Sequence, residues 1–181
     1  MNVIKTTIPG LLILEPRVFK DSRGYFLESF SKRVFEELVG PVTFVQDNES
    51  RSVKGVVRGL HFQKPPYSQA KLVRCTRGRV LDVVVDIRKG SATFGKSFSA
   101  ILSEENHLQI FIPKGFAHGF SVLSDVAVFQ YLCDEYYHPE AEAGISALDP
   151  SLGIDWLIPE EEMIMSDKDR GRSCLTPEDA I

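Results

Sequence analysis

One apolar stretch of the chain, residues 56–63, carries a cation, an imidazole and an amide within six positions, as Arg58, His61 and Gln63. Its valines and bulky apolar side chains predict a β-strand. Strands that only build a core seldom carry such groups, because a buried polar group without a partner is costly. His61 is the first candidate for acid–base chemistry, because imidazole titrates near neutral pH. The stretch either lines a polar cavity or lies at an exposed edge, and possible partners later in the chain favour the cavity.

Those possible partners come from the second half of the chain. His118, after a glycine-containing turn, is a second candidate histidine. Tyr131, Tyr136 and Tyr137 crowd one predicted strand end; such clusters usually serve packing, but a tyrosine in a cavity can donate a proton because neighbours adjust its pKa of about 10. Asp169 is typical of a solvated turn, yet it would orient an imidazole if the tail folds back.

The residues around His61 do not form a metal-binding motif. A metal centre needs three or four ligands close in space. The side chain two positions on is that of Gln63, a poor ligand, so the sequence predicts a pocket without metal. The chain also lacks a phosphate-binding glycine loop of the usual kinds. Four cations could receive an anionic ligand, although single cations are mostly surface residues: Arg23, Arg58, Lys71 and Lys168.

Strands dominate the predicted secondary structure. Residues 31–39 predict one short helix with a possible N-cap at Ser31, and the acidic residues 159–162 could begin another. Turn signals separate the predicted strands, which are 11–19, 25–30, 42–50, 54–63, 70–77, 79–88, 97–102, 107–112, 117–123 and 126–134. Many short strands at this spacing indicate an all-β sandwich or barrel rather than a parallel α/β sheet.

The two-residue period of a strand assigns side chains to faces. In 79–88, apolar residues share one face, while two aspartates, Asp82 and Asp86, share the other. Strict alternation places Arg58 and His61 on opposite faces of their strand. A bulge between them, at a glycine, would reverse the register and bring both to one face.

The composition is that of an ordinary globular protein. The chain has 181 residues, 43% hydrophobic and 25% charged, which fits one domain with a sizeable core. A net charge of -4 gives no sign of the basic face of a nucleic-acid binding protein. No signal peptide or membrane-spanning run is expected. Three cysteines without metal-finger spacing indicate reduced thiols and a cytoplasmic location, and the acidic end, about 176–181, is expected to be frayed.

Motifs spread over residues 3–175 resemble the signature of the dTDP-4-dehydrorhamnose 3,5-epimerases. They follow in that family's order: Asp21-x-Arg23-Gly24-x-Phe26-x-Glu28, Gln46-x-Asn48-x-Ser50, Arg58-Gly59-x-His61-x-Gln63, Pro113-x-Gly115-Phe116-x-His118-Gly119-Phe120, the segment 131–139 and Ser166-x-Lys168-Asp169. The resemblance implies a single domain over 1–181 with the cupin-type jelly-roll β-barrel and a few short helices. It implies no metal or other cofactor, because the His-x-His of the first cupin motif reads His61-x-Gln63 here.

The reaction implied by the resemblance inverts C3 and C5 of dTDP-4-dehydro-6-deoxy-glucose to give dTDP-4-dehydro-rhamnose. Both carbons flank the C4 ketone, so the reaction needs a base on one face of the sugar, an acid on the other and a donor for the enolate oxygen. By the resemblance, His61 oriented by Asp169 is the base, Tyr131 is the acid, and Lys71 lies near the enolate oxygen. The other matched positions are implied to bind the nucleotide, its diphosphate or the sugar: Arg23, Phe26, Glu28, Gln46, Asn48, Arg58, Gln63, His118, Tyr137, Glu142 and Lys168.

Family members are dimers that exchange N-terminal strands, so the resemblance implies a homodimer in which Arg23, Phe26 and Glu28 serve the neighbour's site. The chain departs from the family at 170–173, where a proline is common and this chain reads Arg-Gly-Arg-Ser. Two alternatives stay open. One is an enzyme of the same fold that inverts a single carbon or isomerises the ketone between C3 and C4. The other is a non-catalytic nucleotide-sugar binding protein, against which the retained base, acid and enolate donor argue.

Overall fold

The computed structural model describes residues 1–181 as an antiparallel β-structure with a few short helices. Its thirteen strands are β1 (Asn2–Lys5), β2 (Leu12–Glu15), β3 (Val18–Asp21), β4 (Gly24–Leu27), β5 (Gln46–Val53), β6 (Val57–Gln63), β7 (Lys71–Arg77), β8 (Arg79–Asp86), β9 (Ser97–Ser103), β10 (Gln109–Ile112), β11 (Phe116–Val122), β12 (Val126–Cys133) and β13 (Glu142–Gly144). The α-helices are α1 (Lys32–Leu38) and α2 (Asp167–Arg170), and single 3-10 turns span Pro139–Ala141, Pro150–Leu152, Glu160–Glu162 and Pro177–Asp179. Neither α-helix has the length and apolar character needed to cross a membrane.

Eleven strands form two sheets that face each other. The larger sheet has the order β1-β2-β10-β7-β12-β5, the smaller has the order β13-β6-β11-β8-β9, and β3 and β4 pair only with each other. Every strand pair is antiparallel. This arrangement confirms the predicted all-β, cupin-type jelly roll.

Two apolar cores lie on the two sides of the smaller sheet. The inner core fills the barrel, where Val73 and Phe129 of the larger sheet meet Val84 and Phe120 of the smaller sheet. The outer core lies on the opposite side of the smaller sheet, where the segment after β13, including Trp156, covers it. Because alternate residues of a strand point to opposite faces, the inner-face positions of both sheets point into the barrel.

Strand β6 reverses its alternation between positions 57 and 60. Val57, Leu60 and Phe62 all belong to the outer core, although the first is an odd position and the others are even. The intervening residues therefore include an irregularity, and the pairing of β6 with β11 shifts register at the same place. As a result, Arg58 and His61 lie on the same, inner face, as the predicted bulge requires.

Gly59 is the residue at which the strand reverses. Its φ is +124°, a backbone conformation that other residues rarely adopt. A Cβ atom at this position would lie 2.6 Å from the Cα of Gly119 on the neighbouring strand. Both the torsion and the close approach of the two backbones therefore require glycine.

Several predicted strands have different boundaries in the structure, and two of these differences have a clear physical cause. The predicted strand 11–19 is divided into β2 and β3 around Pro16, because proline lacks the N–H that a ladder needs. The predicted strand 42–50 begins four residues later, because Val42 and Phe44 pack against the cluster around α1 instead. Helix α1 lies where it was predicted, but the N-cap serine makes no capping hydrogen bond.

The C-terminal residues follow a defined path, unlike the frayed end expected from the sequence. Thr176 and Asp179 form a capping box around the last turn. Ile181 donates its N–H to the carbonyl of Ile87 at 2.9 Å and accepts the N–H of Lys89 at 2.9 Å. Its side chain packs against the outer core. Although this end is acidic, its one apolar contact, the packing of Ile181, holds the tail in place.

Candidate active site

A cavity of about 310 Å³ opens between the two sheets. It lies at one end of the barrel, where inner-face positions change from apolar to polar: Val73 gives way to Lys71 on β7, and Phe129 gives way to Tyr131 on β12. The lining residues are Gln46, Asn48, His61, Phe62, Gln63, Gln69, Lys71, Tyr131, Tyr137 and Glu142. A larger groove of about 660 Å³ elsewhere on the surface contains none of the predicted site residues.

His61 lies on the inner face of β6 and borders this cavity. Its Nε2 donates to Oδ1 of Asp169 at 2.5 Å, which leaves Nδ1, without a protein partner, as the basic atom. The side chain of His61 is 35% exposed, whereas that of Asp169 is 7% exposed. A carboxylate in this position fixes the tautomer of the imidazole and stabilises its protonated form. The pair is therefore suited to removing a proton from a ligand in the cavity.

Helix α2 brings Asp169 to His61. Ser166 caps the helix, and its hydroxyl accepts the backbone N–H of Asp169 at 3.1 Å. Burial acts to raise the pKa of Asp169, but the hydrogen bond and charge of His61, with smaller contributions from Ser166 and the backbone of Gly59, hold the pKa below its usual value. Asp169 is therefore an ionised acceptor for the imidazole near neutral pH.

Lys71 and Tyr131 face the same cavity from the larger sheet. They lie on neighbouring strands, with Nζ of Lys71 5.8 Å from the centre of the Tyr131 ring. Burial lowers the pKa of Lys71, against the opposing effects of Cys133 and Asp82, and burial raises the pKa of Tyr131. A tyrosine that keeps its proton can act as an acid, and an enclosed ammonium strongly stabilises negative charge that develops nearby.

Gln46 and Asn48 form a polar wall of the cavity on β5. They share the inner face, as the sequence predicts, and Nε2 of Gln46 donates to Oδ1 of Asn48 at 3.0 Å. Oε1 of Gln46 accepts the backbone N–H of Tyr137 at 3.0 Å. The wall is thereby tied to the loop that follows β12.

Glu142 joins that loop to the segment that carries Asp169. The Tyr137 hydroxyl donates to its Oε2 at 2.6 Å, while Lys168 and Arg172 contact its Oε1 at 2.6 and 3.2 Å. Burial acts to raise the pKa of Glu142, but Lys168, the Tyr137 hydroxyl and the charge of His61 hold it below its usual value. The cavity wall therefore carries an ionised carboxylate whose two oxygens have different partners.

Gln63 lines the cavity but uses its amide to hold two loops. Its Nε2 donates to the carbonyls of Tyr67 and Tyr136 at 2.7 and 3.1 Å, and its Oε1 accepts the N–H of His138 at 2.7 Å. Both amide protons are thus engaged, and the residue is buried. Gln63 shapes the cavity with both amide donors engaged by the protein, and its predicted contact with the ligand stays a prediction.

His118 is the strand partner of His61 across β11 and β6, and its side chain is buried in the barrel. Its Nε2 bonds to Oδ2 of Asp82 at 2.7 Å, and its ring stacks at 5.9 Å from that of Phe129. The side chain of His118 is 8% exposed and that of Asp82 is 0% exposed. His118 is not among the residues that line this cavity, and its predicted contact with the ligand stays a prediction.

Five other predicted ligand-binding residues are not among those that line the cavity of their own chain. Lys168 is exposed and contacts Glu142 at the edge of the cavity. Arg58 is on the inner face of β6, but its Nε donates to the hydroxyl of Ser52 at 3.2 Å. Arg23 and Phe26, in the β3–β4 hairpin, and Glu28, just after it, are exposed. A single chain therefore does not bring the hairpin residues to His61.

Sequence reasoning missed five residues at or near the site, namely Phe62, Gln69, Asp82, Cys133 and Arg172. Gln69 lines the cavity and donates to the carbonyl of Glu135 at 2.8 Å, and Cys133 is the strand partner of Lys71. The inward carboxylate of a buried strand was a usable signal for Asp82, whereas no local pattern indicated Arg172. No cluster of three or more His, Cys, Asp or Glu side chains is arranged to hold a metal ion.

The two sheets thus present complementary groups to one cavity. The smaller sheet supplies an imidazole backed by a carboxylate, and the larger sheet supplies a phenol and an ammonium. A ligand between the sheets would have a base on one side and an acid on the other, with a cation available for an oxyanion. These groups are the ones needed to remove and return a proton at a carbon next to a carbonyl group.

Relatives share both the sequence and the structure of this chain. A family model described as dTDP-4-dehydrorhamnose 3,5-epimerase matches residues 5–176, a range that contains every cavity-lining residue. The dTDP-4-dehydrorhamnose 3,5-epimerase of Escherichia coli strain K12 is 58% identical over 171 residues, which cover 93% of this chain and 91% of that protein.

Two solved structures show how far the likeness extends. The dTDP-6-deoxy-D-glucose-3,5-epimerase of Legionella pneumophila, in complex with dTDP-4-keto-L-rhamnose, is 53% identical with a TM-score of 0.92, covering 96% of this chain and 92% of that one. A 3'-monoepimerase of Streptomyces bikiniensis, in complex with dTDP-quinovose, is 36% identical with a TM-score of 0.85, covering 93% of this chain and 85% of that one.

Proposed function

Because the chain belongs to the dTDP-4-dehydrorhamnose 3,5-epimerase family and thus inverts C3 and C5 of dTDP-4-dehydro-6-deoxy-D-glucose, we propose that His61 removes the protons and Tyr131 supplies them. The product is dTDP-4-dehydro-L-rhamnose, on the route to dTDP-L-rhamnose. The observation that carries these roles is one cavity in which the His61–Asp169 pair on one sheet faces Tyr131 and Lys71 on the other.

Each inversion is a proton removal followed by a proton return. Nδ1 of His61 takes the proton from the carbon next to the C4 ketone, and the C–H electron pair forms an enolate with its charge on the C4 oxygen. The hydroxyl of Tyr131 then protonates the same carbon from the opposite face, and solvent restores both groups. Substrate and product are isomers, so the balance needs no oxidant, reductant or transferred group.

Asp169 and Lys71 support these two transfers in the proposal. Asp169 stabilises the imidazolium that forms when His61 takes a proton, and its lowered pKa keeps it charged for that task. Lys71 offsets the charge that develops on the enolate oxygen, and its burial makes the effect strong because the local dielectric is low.

The polar wall of the cavity is proposed to hold the sugar nucleotide. Gln46, Asn48 and Glu142 line the cavity and share hydrogen bonds with the loop of Tyr137. Lys168 is exposed next to Glu142 and offers a cation to an anionic ligand. Arg58, on the same inner face as His61, is proposed to meet the diphosphate.

The decisive experiment is NMR of the protein with dTDP-4-dehydro-6-deoxy-D-glucose in deuterated water, in the presence of a chelator. We expect deuterium at both C3 and C5, with a rhamno product trapped by a downstream reductase. His61→Asn should abolish the exchange while leaving nucleotide affinity within a few-fold. His107→Asn is the matched control, because His107 lies outside the cavity, with its ring centre 4.6 Å from that of Tyr25, and its positive φ of 55° suits asparagine.

A second candidate is inversion of one carbon only, the activity by which the similar 3'-monoepimerase of Streptomyces bikiniensis is named. It would use the same base and cavity, so the same NMR experiment separates the two. Exchange at C3 or C5 alone would establish the single-carbon enzyme. Tight binding without any exchange would instead support a non-catalytic binding protein, and a fully active His61→Asn would remove His61 from its proposed role.

We further propose that the protein is a homodimer in which the β3–β4 hairpin crosses to the partner. The hairpin pairs only with itself and exposes large apolar side chains, Phe19, Tyr25 and Phe26. An isolated two-stranded hairpin is marginally stable in water, and exposed apolar clusters favour an interface. In such a dimer, Arg23, Phe26 and Glu28 would complete the neighbour's cavity.

Mixing two inactive variants tests the exchange. If the hairpin serves the partner, Arg23→Ala and His61→Asn chains should regain activity after joint refolding, because about one site in four then combines a native His61 with a native hairpin. Each variant refolded alone is the control. A mixture that stays inactive, or a monomer by light scattering, would contradict the crossing hairpin.

The proposed location is the cytoplasm. The three cysteines are free, with Cys75 and Cys133 buried and Cys174 exposed, which is the thiol state expected in a reducing compartment. Fractionation of cells that express the tagged protein should recover it with cytoplasmic markers.

A further inference from the structure

Arg172 forms the contact next to the site that no motif explains. Its Nη2 donates to Oε1 of Glu142 at 3.2 Å, the same oxygen that Lys168 contacts at 2.6 Å. The side chain of Arg172 is 17% exposed, as is that of Glu142, whereas that of Lys168 is 59% exposed. Arg172 is therefore the enclosed cation of the two, and solvent screens its attraction less than that of the lysine.

The guanidinium of Arg172 lies close to β13, the strand that pairs with β6 beside His61. A Cβ atom at Gly144 would be 3.0 Å from Nε and 3.2 Å from Cζ of Arg172, and Gly144 is the strand partner of His61. The absence of a side chain at position 144 makes room for the guanidinium. The N–H of Ser146 donates to the carbonyl of Ser173 at 2.8 Å, which fixes the backbone next to Arg172 along the same edge.

The buried Nε of Arg172 has no hydrogen-bond partner in the protein. A buried donor without an acceptor is destabilising, so this position is unfavourable for the guanidinium taken by itself. What the position provides is the contact with Glu142, whose Oε2 is left to the hydroxyl of Tyr137 at 2.6 Å.

From this geometry we infer that Arg172 is a positioning residue that, acting through Glu142, fixes the Tyr137 side of the substrate pocket. Arg172 holds Oε1 of the carboxylate, and the carboxylate holds the tyrosine hydroxyl at the cavity wall. This inference rests on the proposed function, because it assigns that wall to the sugar nucleotide. Arg172 touches neither His61 nor Tyr131, so it should govern substrate affinity rather than the proton transfers.

The test compares Arg172→Met with Arg172→Lys and the control Arg170→Met. Methionine keeps much of the apolar stem without the charge, and lysine restores a cation without the planar fork. Arg170 belongs to the same segment, but its guanidinium bonds to the carbonyl of Met163. We expect KM to rise about tenfold in Arg172→Met with kcat within about twofold, partial recovery in Arg172→Lys, and no change in Arg170→Met.

A double mutant shows whether the effect passes through Glu142. Adding Arg172→Met to Glu142→Gln should raise KM no further than Glu142→Gln does alone. An unchanged KM in Arg172→Met, additive effects in the double mutant, or a loss confined to kcat would each overturn the inference. Calorimetry of dTDP-sugar binding to the same variants separates a failure of the proposed reaction from a failure of the role assigned to Arg172. If the wild type binds without exchanging protons, the proposed reaction fails, and the affinity ratio still decides the role of Arg172.

Discussion

The barrel contains two histidine–carboxylate pairs side by side, and their surroundings differ. His61 and His118 are strand partners, and each bonds through Nε2 to an aspartate, at 2.5 and 2.7 Å. The first histidine borders the cavity and takes its carboxylate from the tail helix. The second is enclosed in the apolar barrel and takes its carboxylate, Asp82, from the adjacent strand.

The difference teaches that a histidine–carboxylate pair is not by itself a catalytic unit. His61 has a free Nδ1 beside a cavity, so it can meet a ligand and exchange protons with it. His118 stacks against Phe129 and is not among the residues that line the cavity, and Oδ1 of Asp82 is buried without any partner. Removing His118 would leave the Asp82 carboxylate without its partner in the core, whereas removing His61 would leave the Asp169 carboxylate next to a cavity that solvent can enter.

The largest expected effect on activity comes from removing the imidazole of His61. His61→Ala should lower deuterium incorporation from solvent by about 10³-fold, because a positioned base contributes about 10²–10⁴-fold to such a step. The free energy of unfolding should change by less than about 1 kcal/mol, because the side chain of His61 is 35% exposed and its removal opens Asp169 to the cavity. NMR exchange and urea denaturation of the same preparation measure the two quantities, and an active variant would contradict the comparison.

The same substitution at His118 should lower the stability of the fold instead. His118→Ala leaves Asp82 buried and without its donor, and removal of one partner from a buried pair costs about 3–5 kcal/mol. We expect the midpoint of urea unfolding to fall accordingly, while the folded fraction keeps far more exchange activity than His61→Ala. Equal stability of His61→Ala and His118→Ala would show that the His118–Asp82 pair does not stabilise the fold more than the His61–Asp169 pair does.

A smaller effect on activity is expected when only the orienting carboxylate is neutralised. Asp169→Asn keeps the shape of the side chain but no longer stabilises the imidazolium, so exchange should fall by about 10²-fold. KM should stay close to that of the wild type, because Asp169 lies behind His61 and not against the ligand. A rise in KM with unchanged kcat would place Asp169 in binding instead.

The smallest expected effect is a difference in acid stability. The folded-state pKa of Asp169 lies below its ordinary value, so its contribution to stability is present above the unfolded pKa of about 3.9 and is lost as pH falls through the folded pKa. Wild type should therefore lose more stability than Asp169→Asn between about pH 5 and the folded pKa. Urea titrations of both proteins across this range measure the difference, and parallel curves would contradict it.

Much of the barrel follows from local sequence patterns. The period of strand 79–88 correctly separates the outer-core face from the face that carries Asp82, because one-sided burial specifies which residues point inward. The prediction fails where the reason is not local. Val42 and Phe44 have strand-forming side chains but pack against α1, and Ile181 is held by Ile87 and Lys89, which directly follow β8 much earlier in the chain.

The sequence by itself determined the residue types of the site and the glycine that permits them to share a face, because Gly59 between Arg58 and His61 already suggests a bulge. Only the tertiary structure decided which of two histidines faces a cavity and which is enclosed. It also decided the partners that come from the tail, Asp169 on His61 and Arg172 on Glu142. Such contacts depend on how a distant segment packs, and the period of a strand carries no information about the side chains that a distant segment will bring to it.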